Sequence, residues 1–243
     1  MSHLKRHQAP VFWPIKRKGF VWTVKPGPGS HPVARSMPLV MVLRDVLKFT
    51  DKSKEASAVI KQGKVLVDKK PVKDPRHPIG LMDSLEIPDA KKYLRVLSGP
   101  KGLEFADIPH EELSKKTCRI EGKKTIKGGQ IQLSLHDGRN IIVNTNDYVP
   151  GDSLVIEVPE QNIVSHMKFE IGSKIMIISG KNVGLTGTVD KMLNRKTLLE
   201  QNRIIVQSDG GKIETLKKYA MVVGDGASGA SDKSKPKKHP QNK

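Results

Sequence analysis

The sequence predicts an α+β, multi-domain fold in which a small helical and β module is followed by two β-rich units. Apolar residues recur at helical spacing within residues 38–63. Short strand-like segments, several of them separated by Gly or Asp-Gly turns, fill residues 93–223. We therefore divide the chain into an N-terminal arm, a helix–helix–strand module, a central β domain, a small β-barrel and a disordered tail, at 1–37, 38–102, 103–170, 171–223 and 224–243.

The net charge of the chain and its distribution indicate what kind of partner the protein binds. The 243 residues carry a formal charge of +18, with an isoelectric point near 9.9. Residues 1–102 have a net charge of +13 and residues 172–243 a net charge of +8, whereas residues 103–171 have −3. This distribution favours a polyanion, most simply a nucleic acid, that contacts the two ends more than the middle.

Other classes of protein are disfavoured by composition. The longest apolar run, "PLVMVL" at 38–43, is far too short to span a membrane, and no apolar signal core follows the basic N-terminal residues. Cys118 is the single cysteine, which excludes an internal disulfide and a cysteine-based zinc site. We expect a reducing, cytoplasmic setting, with no metal and no cofactor.

The arm, 1–37, is rich in proline, has no acidic residue and lacks a sustained period. It is expected to order only on RNA, so that free protein would have protease-sensitive ends. Its cations alternate with aromatic residues, which suits phosphates and bases, although the same rings would also pack on their own protein. The predicted RNA contacts here are Lys5, Arg6, Trp13, Lys16, Arg17, Lys18, Lys25 and Arg35.

Two helices are predicted next. In residues 38–50, Pro38 suits the first helical position and Val40, Leu43 and Leu47 recur at helical spacing. The second helix, 50–63, has Ser53 or Asp51 as its N-terminal cap and Gly63 at its C-terminus. The alternating segment "KVLVD" then predicts a strand, which completes the module.

The β-rich remainder reads as two small barrels or sandwiches. Residues 93–171 contain "YLRVL", "KTCRI", "QIQLSL", "NIIVN", "SLVIEV" and "NIVSHMKFEI". Residues 172–223 contain "KIMIIS", "GTVDKML", "RIIVQS", "KIETL" and "AMVV", with tight glycine turns. The regular spacing of these strands is typical of small closed sheets.

The segment "ISGKNVGLTG" at 178–187 raises the alternative of a nucleotide-binding loop. A Walker A loop would need glycine at position 175 and Ser or Thr at 182, where Ile175 and Asn182 stand. The G-x-G-x-x-G pattern also fails, because Asn182 precedes Gly184 by two residues. The remaining interpretation is a turn between two strands, in which glycine permits positive φ.

This segment resembles the KOW motif of small SH3-like barrels. The likeness is carried by Gly172, the apolar run 175–178, Gly180, Gly184, Gly187 and Val189. In that family the loop approaches RNA or protein. The resemblance implies that Lys181 and Asn182 face RNA.

The segment 53–72, "SKEASAVIKQGKVLVDKKPV", resembles the RNA-binding module named after bacterial ribosomal small-subunit protein four. Lys69 stands where that module usually has glycine, and a lysine at positive φ would cost about 1 kcal/mol, so the turn type stays open. The resemblance implies contacts with structured RNA. The implied residues are Arg44, Lys52, Lys54, Lys61, Lys64, Lys69, Lys70, Lys73 and Arg76.

The order of these parts resembles the "four-e" family of archaeal and eukaryotic small-subunit ribosomal proteins. The resemblance rests on "HLKRHQAP", "SMPLVMVLRDVL", "VLVDKKPVKDPRHPIGLMD" and the glycine segment, and it covers nearly the whole chain. It implies a structural, ribosome-bound protein in the cytoplasm that binds rRNA, contacts neighbouring ribosomal proteins and supports subunit assembly. Such a protein is expected to be no enzyme and to bind no small-molecule substrate.

Two alternatives stay open. The first is an RNA-modifying enzyme using His110, Glu111 or Glu112, although Ser114 occupies the position where a zinc-binding H-E-x-x-H would need its second histidine. The second is a KOW-bearing translation or transcription factor. Sequence alone favours the ribosomal interpretation over both.

Overall fold

The computed structural model describes residues 3–195, 197, 199–208 and 210–224, and every structural statement below refers to these residues. Of the predicted tail, only Gly224 is among them. Within this part of the chain, no helix combines the length and the apolar character needed to cross a membrane.

The arm is folded onto the module that follows it. Its strands β1 (Leu4–Lys5) and β2 (Trp22–Thr23) pair antiparallel. Trp13 is 2% exposed, and its indole nitrogen donates a hydrogen bond of 2.8 Å to the Ser36 carbonyl. The expectation that the arm orders only on RNA is therefore wrong for the described residues, because the arm contributes Ala9 and Trp13 to the protein's own core.

The helical part is shorter than predicted. After strand β3 (Met37–Pro38), helix α1 (Leu39–Met41) continues as a π-helical segment, Val42–Val46. The predicted helix over 38–50 ends early, since Lys48 adopts a φ of +55°. Helix α2 (Ser53–Lys61) has Lys52 at its N-cap, not Ser53 or Asp51. The Glu55 carboxylate accepts the Lys52 N–H at 3.3 Å, which satisfies a donor of the first turn.

A five-stranded sheet completes the module. Its order is β5-β4-β7-β8-β9, while β6 pairs with β3. The β8–β9 hairpin crosses the predicted domain boundary at residue 102. Gly102, with φ +123°, lies at the turn of this hairpin, and β9 then pairs with β8 in the same sheet. The strands are β4 (Leu66–Val67), β5 (Lys70–Pro71), β6 (Pro78–Ile79), β7 (Ser84–Ile87), β8 (Lys92–Gly99) and β9 (Gly102–Asp107).

The open question about the Lys69 turn is answered by the backbone. Val67 pairs with Lys70, so Asp68 and Lys69 form a two-residue hairpin loop. Their φ angles are +49° and +63°. Two consecutive positive φ angles are the mark of a type I′ hairpin, so the turn keeps its geometry although lysine replaces glycine.

The central sheet has the order β12-β11-β10-β13-β14. The long strand β10 pairs with β13 over residues 115–119 and with β11 over residues 120–125, where a bulge lies between Ile120 and Gly122. Cys118, Ile120 and Leu154 lie in its core. The strands are β10 (Lys115–Thr125), β11 (Ile131–Leu135), β12 (Asn140–Val143), β13 (Ser153–Glu157) and β14 (Ile163–Met167).

The third sheet has the order β18-β17-β16-β15-β19, and every pairing in it is antiparallel. Met176 and Met221 from this sheet pack against Met82 and Leu97 of the module. The third unit is thereby fixed to the first by an apolar contact. Its strands are β15 (Lys174–Ile177), β16 (Thr186–Leu193), β17 (Arg203–Ser208), β18 (Gly211–Leu216) and β19 (Ala220–Val222).

Candidate nucleic-acid interface

A groove of about 530 Å³ lies where the arm meets the module. Its walls come from arm residues 3–4 and 23–25, helix α2 and the loop 74–76. Lys25, Lys61 and Arg76, all predicted contacts that lie far apart in the sequence, line this one groove. We call it the basic groove.

Helix α2 positions its side chains by its apolar spacing. Ala56 and Ile60 are fully buried in the core. Ser53, Ser57 and Lys61, each four residues apart, consequently line the basic groove. Lys54 and Lys61 stay exposed, so the helix adds positive charge to the side that faces away from the core.

Most of the predicted cations are available at the surface. They come from the arm, from both ends of α2 and from the strands that follow it. Lys73 lies near the C-terminal end of α2, since its Cε would be 3.7 Å from a Cβ added to Gly63. Lys25 is half-buried. The exposed members are Lys5, Lys16, Lys18, Arg35, Lys52, Lys54, Lys61, Lys64, Lys70, Lys73 and Arg76.

Three predicted contacts serve the protein's own fold instead. Trp13 is buried, so its ring is not available for stacking. Arg6 is 4% exposed and donates to the Lys16 carbonyl, with Asp45 at 3.8 Å. Arg17 donates to the carbonyls of Ala9 and Pro10 at 2.7 and 2.8 Å. We therefore remove these residues from the interface, because their polar or aromatic groups fasten the arm.

Four further predicted cations form ion pairs. Arg44 pairs with Asp45 at 2.9 Å and Lys69 with Glu86 at 3.3 Å, and these pairs are largely shielded from water. The other two pairs, Lys64–Asp89 at 3.0 Å and Arg35–Glu121 at 3.2 Å, are exposed. Exposed pairs contribute at most about 1 kcal/mol, so a phosphate competes readily for Lys64 and Arg35.

The glycine segment at 178–187 connects β15 to β16, as the turn interpretation predicts. Gly184 donates its N–H to the Ile177 carbonyl at 2.8 Å and has a φ of +84°. A Cβ on Gly184 would lie 2.8 Å from the Ser98 carbonyl oxygen, so this glycine also permits close packing against the module. Lys181 is exposed at the tip and Asn182 is half-buried.

A buried ionic cluster joins the module to the central domain, and sequence analysis missed it. The Lys116 ammonium contacts Asp83 at 2.6 Å, Asp68 at 2.7 Å and Asp137 at 3.2 Å. Arg139 reaches Asp68 at 2.6 Å and Asp137 at 3.2 Å. The strand pattern does indicate the burial of Lys116. Residues 116, 118 and 120 alternate along one face of the strand, and because Cys118 and Ile120 are apolar, Lys116 is expected to point inward with them.

Charge pairing sets the protonation states in the cluster. Burial alone would raise the pKa of Asp83, but Lys116 and His31 lower it, and the result lies well below the usual range. Burial likewise opposes the Lys116 charge, yet Asp83 and Asp68 raise the pKa of Lys116 well above its ordinary value. Lys116, Asp83 and Asp137 are therefore charged at neutral pH, and their attraction holds the module's sheet to the central sheet.

Cys118, His136 and Asp137 lie close enough for their ligand atoms to share a metal ion. Their hydrogen bonds argue against that role. The Arg119 N–H donates to Nδ1 of His136, so Nε2 carries the proton and donates to the Leu81 carbonyl, both at 3.2 Å. Burial raises the pKa of the Cys118 thiol, which donates to Asp137 at 3.6 Å. These groups thus already have protein partners.

The acidic residues considered for an enzyme lie in a short 3-10 helix, His110–Ser114. Arg95 donates to the Glu112 carbonyl at 2.7 Å, and its guanidinium lies 3.9 Å from the Glu112 carboxylate. Glu111 is exposed. Arg95 of β8 therefore holds Glu112 and the segment between β9 and β10 in place, which gives Glu112 a structural role.

Comparison with known sequences gives matches along most of the chain. Residues 2–34 match the RS4NT (NUC023) domain, residues 37–85 the S4 domain and residues 90–163 ribosomal family S4e. The small ribosomal subunit protein eS4 of Methanocaldococcus jannaschii is 43% identical over 92% of this chain and 94% of its own. The eS4 protein of Ignicoccus hospitalis is 43% identical over 83% of this chain and 85% of its own.

A solved structure agrees. The crystal structure of the 30S ribosomal protein S4e from Thermoplasma acidophilum superposes with a TM-score of 0.68 at 30% identity, covering 78% of this chain and 95% of that one. The family resemblance stated from the sequence is confirmed by these comparisons. The chain belongs to ribosomal family S4e.

Proposed function

We propose that this protein is a structural constituent of the small ribosomal subunit, where it binds rRNA and supports subunit assembly and translation. The relatives named above are small-subunit proteins, and the S4 domain match covers the module that carries the basic groove. The observation that carries the proposal is this groove, in which Lys25, Lys61 and Arg76 converge from three separate segments.

The proposed mechanism is electrostatic and involves no chemical step. Exposed lysines and arginines replace the counterions of folded rRNA, which releases those ions and makes binding depend on salt. The groove and the turn lysines recognise the shape of a folded RNA backbone, since RNA duplexes are held largely through phosphates and shape. On this account the protein is not an enzyme and needs no cofactor.

The third unit is proposed to be an SH3-like barrel with a KOW motif. Five antiparallel strands and the glycine turn between β15 and β16 support this assignment. Lys181 and Asn182 at that turn would then face RNA. The central domain, which lacks excess positive charge, is proposed to contact neighbouring ribosomal proteins, and the protein is proposed to be cytoplasmic and ribosome-bound.

Sedimentation of a cell lysate through a gradient tests the proposal. At moderate salt we expect the protein to travel with small subunits and to leave them as salt is raised. A protein that runs free of small subunits at moderate salt would overturn the ribosomal assignment. Migration with a different assembly would favour the alternative of a translation or transcription factor.

A further inference from the structure

Three consecutive large apolar residues are exposed on the arm. Phe20 is 73% exposed, Val21 66% and Trp22 54%. Single exposed apolar side chains are ordinary, but three in succession, two of them aromatic, are typical of an interaction site. The two tryptophans of the arm differ, since Trp13 is only 2% exposed whereas Trp22 points outward. We call residues 20–22 the aromatic patch.

The aromatic patch is held on a folded support. Trp22 lies in β2, directly opposite Lys5 of β1, and the Val21 carbonyl accepts the Arg6 N–H at 2.9 Å. The Arg6 guanidinium lies 5.5 Å from the centre of the Phe20 ring, and His3 meets the Trp22 ring edge-on at 5.7 Å. Because Arg6 is buried, the rings are positioned before any partner arrives.

The charge around the aromatic patch selects a polyanion. Residues directly opposite in an antiparallel pair project from the same face, so Lys5 stands beside Trp22. Lys16 and Lys18 are exposed just before the patch, and residues 1–37 contain no acidic residue. A basic protein would be repelled here, whereas a nucleotide offers a flat base for the rings and a phosphate for the cations.

We propose that the aromatic patch, with Lys5, is a stacking site for an unpaired base of ribosomal RNA. This inference rests on the proposed function and adds to it a class of ligand, single-stranded RNA, that is distinct from the folded RNA assigned to the basic groove. Bases within a duplex have both faces covered by their neighbours, so only a loop, bulge or end supplies a free face. Trp22 is the central stacking residue.

Affinity measurements on the full-length protein test this site. A short oligouridylate serves as the single-stranded probe, and a hairpin with as many phosphates serves as the duplex probe, at the same salt. We expect Trp22→Ala to weaken binding of the oligouridylate about 10-fold, the scale of one base–aromatic stack, and to leave the hairpin affinity unchanged. Trp22→Phe restores most of the affinity because it keeps an aromatic face.

Leu199→Ala is the matched control, since Leu199 is 97% exposed and lies outside the aromatic patch. It is expected to change neither affinity. An equal loss for both probes with Trp22→Ala, or no loss for either, overturns the stacking site. Photocrosslinking of position 22 to a protein in small subunits, in place of RNA, overturns it as well.

The two proposals fail in different ways. If the wild-type protein travels with small subunits but its oligouridylate affinity does not depend on Trp22, the ribosomal function stands and the stacking site is wrong. If the wild-type protein does not travel with small subunits, the ribosomal function itself is wrong.

Discussion

Lys116 is the residue on which the contact between the module and the central domain depends most. Its side chain is 2% exposed, and its ammonium contacts three carboxylates, two of which belong to the module. Removing one partner from a buried ionic cluster leaves the others uncompensated. This position is therefore far more sensitive than any exposed lysine of the basic groove.

Lys116→Met is expected to lower the free energy of unfolding by about 3–5 kcal/mol at neutral pH. Urea denaturation measures the change. Lys115→Met is the control, since Lys115 is its exposed neighbour on the same strand. Equal stability of the two variants would contradict a stabilising role for the cluster.

The buried side chain of His136 is expected to make the free energy of unfolding depend on pH. Burial, reinforced by Lys116, lowers the pKa of His136 from 6.5 to about 4. The unfolded chain thus binds a proton at a pH where the folded protein does not, and stability falls as the pH drops from 6.5 towards 4. Between about pH 7 and about pH 5 we expect a loss of about 2 kcal/mol from this residue.

Denaturation curves for wild type and His136→Gln at the two pH values check this, with His110→Gln as an exposed control. Asp83 and Asp137 do not interfere, because their pKa values are lowered and their stabilisation is lost mainly below the ordinary value of 3.8. Burial also lowers the pKa of His77, which leaves a residual dependence in the variant. An unchanged pH dependence in His136→Gln would contradict the assignment.

At the scale of elements, the arm behaves as part of the module. Trp13→Ala is expected to cost about 3–5 kcal/mol and to release the arm, because it removes a buried ring and the hydrogen bond to Ser36. Limited proteolysis without RNA should then cut within residues 3–37. Trp22→Ala, which removes an exposed ring, is the control. Rapid cutting of the wild-type arm would contradict the packed arrangement.

The glycine turn between β15 and β16 allows a second test at this scale. Gly184 and Gly172 have similar φ angles, +84° and +89°, but only Gly184 is crowded. Alanine at either position costs about 1–2 kcal/mol for the left-handed backbone. Gly184→Ala is expected to cost about 1–3 kcal/mol more, since its Cβ would press on residues 98–100. Equal thermal stability of the two variants would show that the turn at Gly184 does not pack closely against the module.

At the scale of the whole molecule, sequence reasoning succeeded where the pattern is local. The strands of both β-rich units, helix α2 with Gly63 at its end and the exposed lysines all follow from spacing and turn residues. It failed where contacts are long-range. The buried indole of Trp13 donates its hydrogen bond to Ser36, and the buried charge of Lys116 is balanced by Asp68 and Asp83. These partners lie far away in the sequence, so no local pattern predicts them.

The boundary at residue 102 failed for a related reason. The predicted boundary separated residues 102 and 103, but β9 pairs with β8 and belongs to the module's sheet. Backbone pairing decides which sheet a strand belongs to, and that pairing joins segments that a sequence pattern does not connect.

Binding of ribosomal RNA is proposed to depend on a defined face of the arm and module, and not on net charge alone. Its most direct test is the slope of log affinity against log salt for small-subunit rRNA. One variant changes Lys54, Lys61, Lys73 and Arg76 to Gln, and a matched variant changes the exposed Lys101, Lys115, Lys124 and Lys127 to Gln.

Both variants remove the same charge. We expect the first variant to flatten the slope by about 3, because four phosphate contacts are lost, and the second to keep the wild-type slope. Equal flattening in both variants, or none in the first, would contradict this proposal.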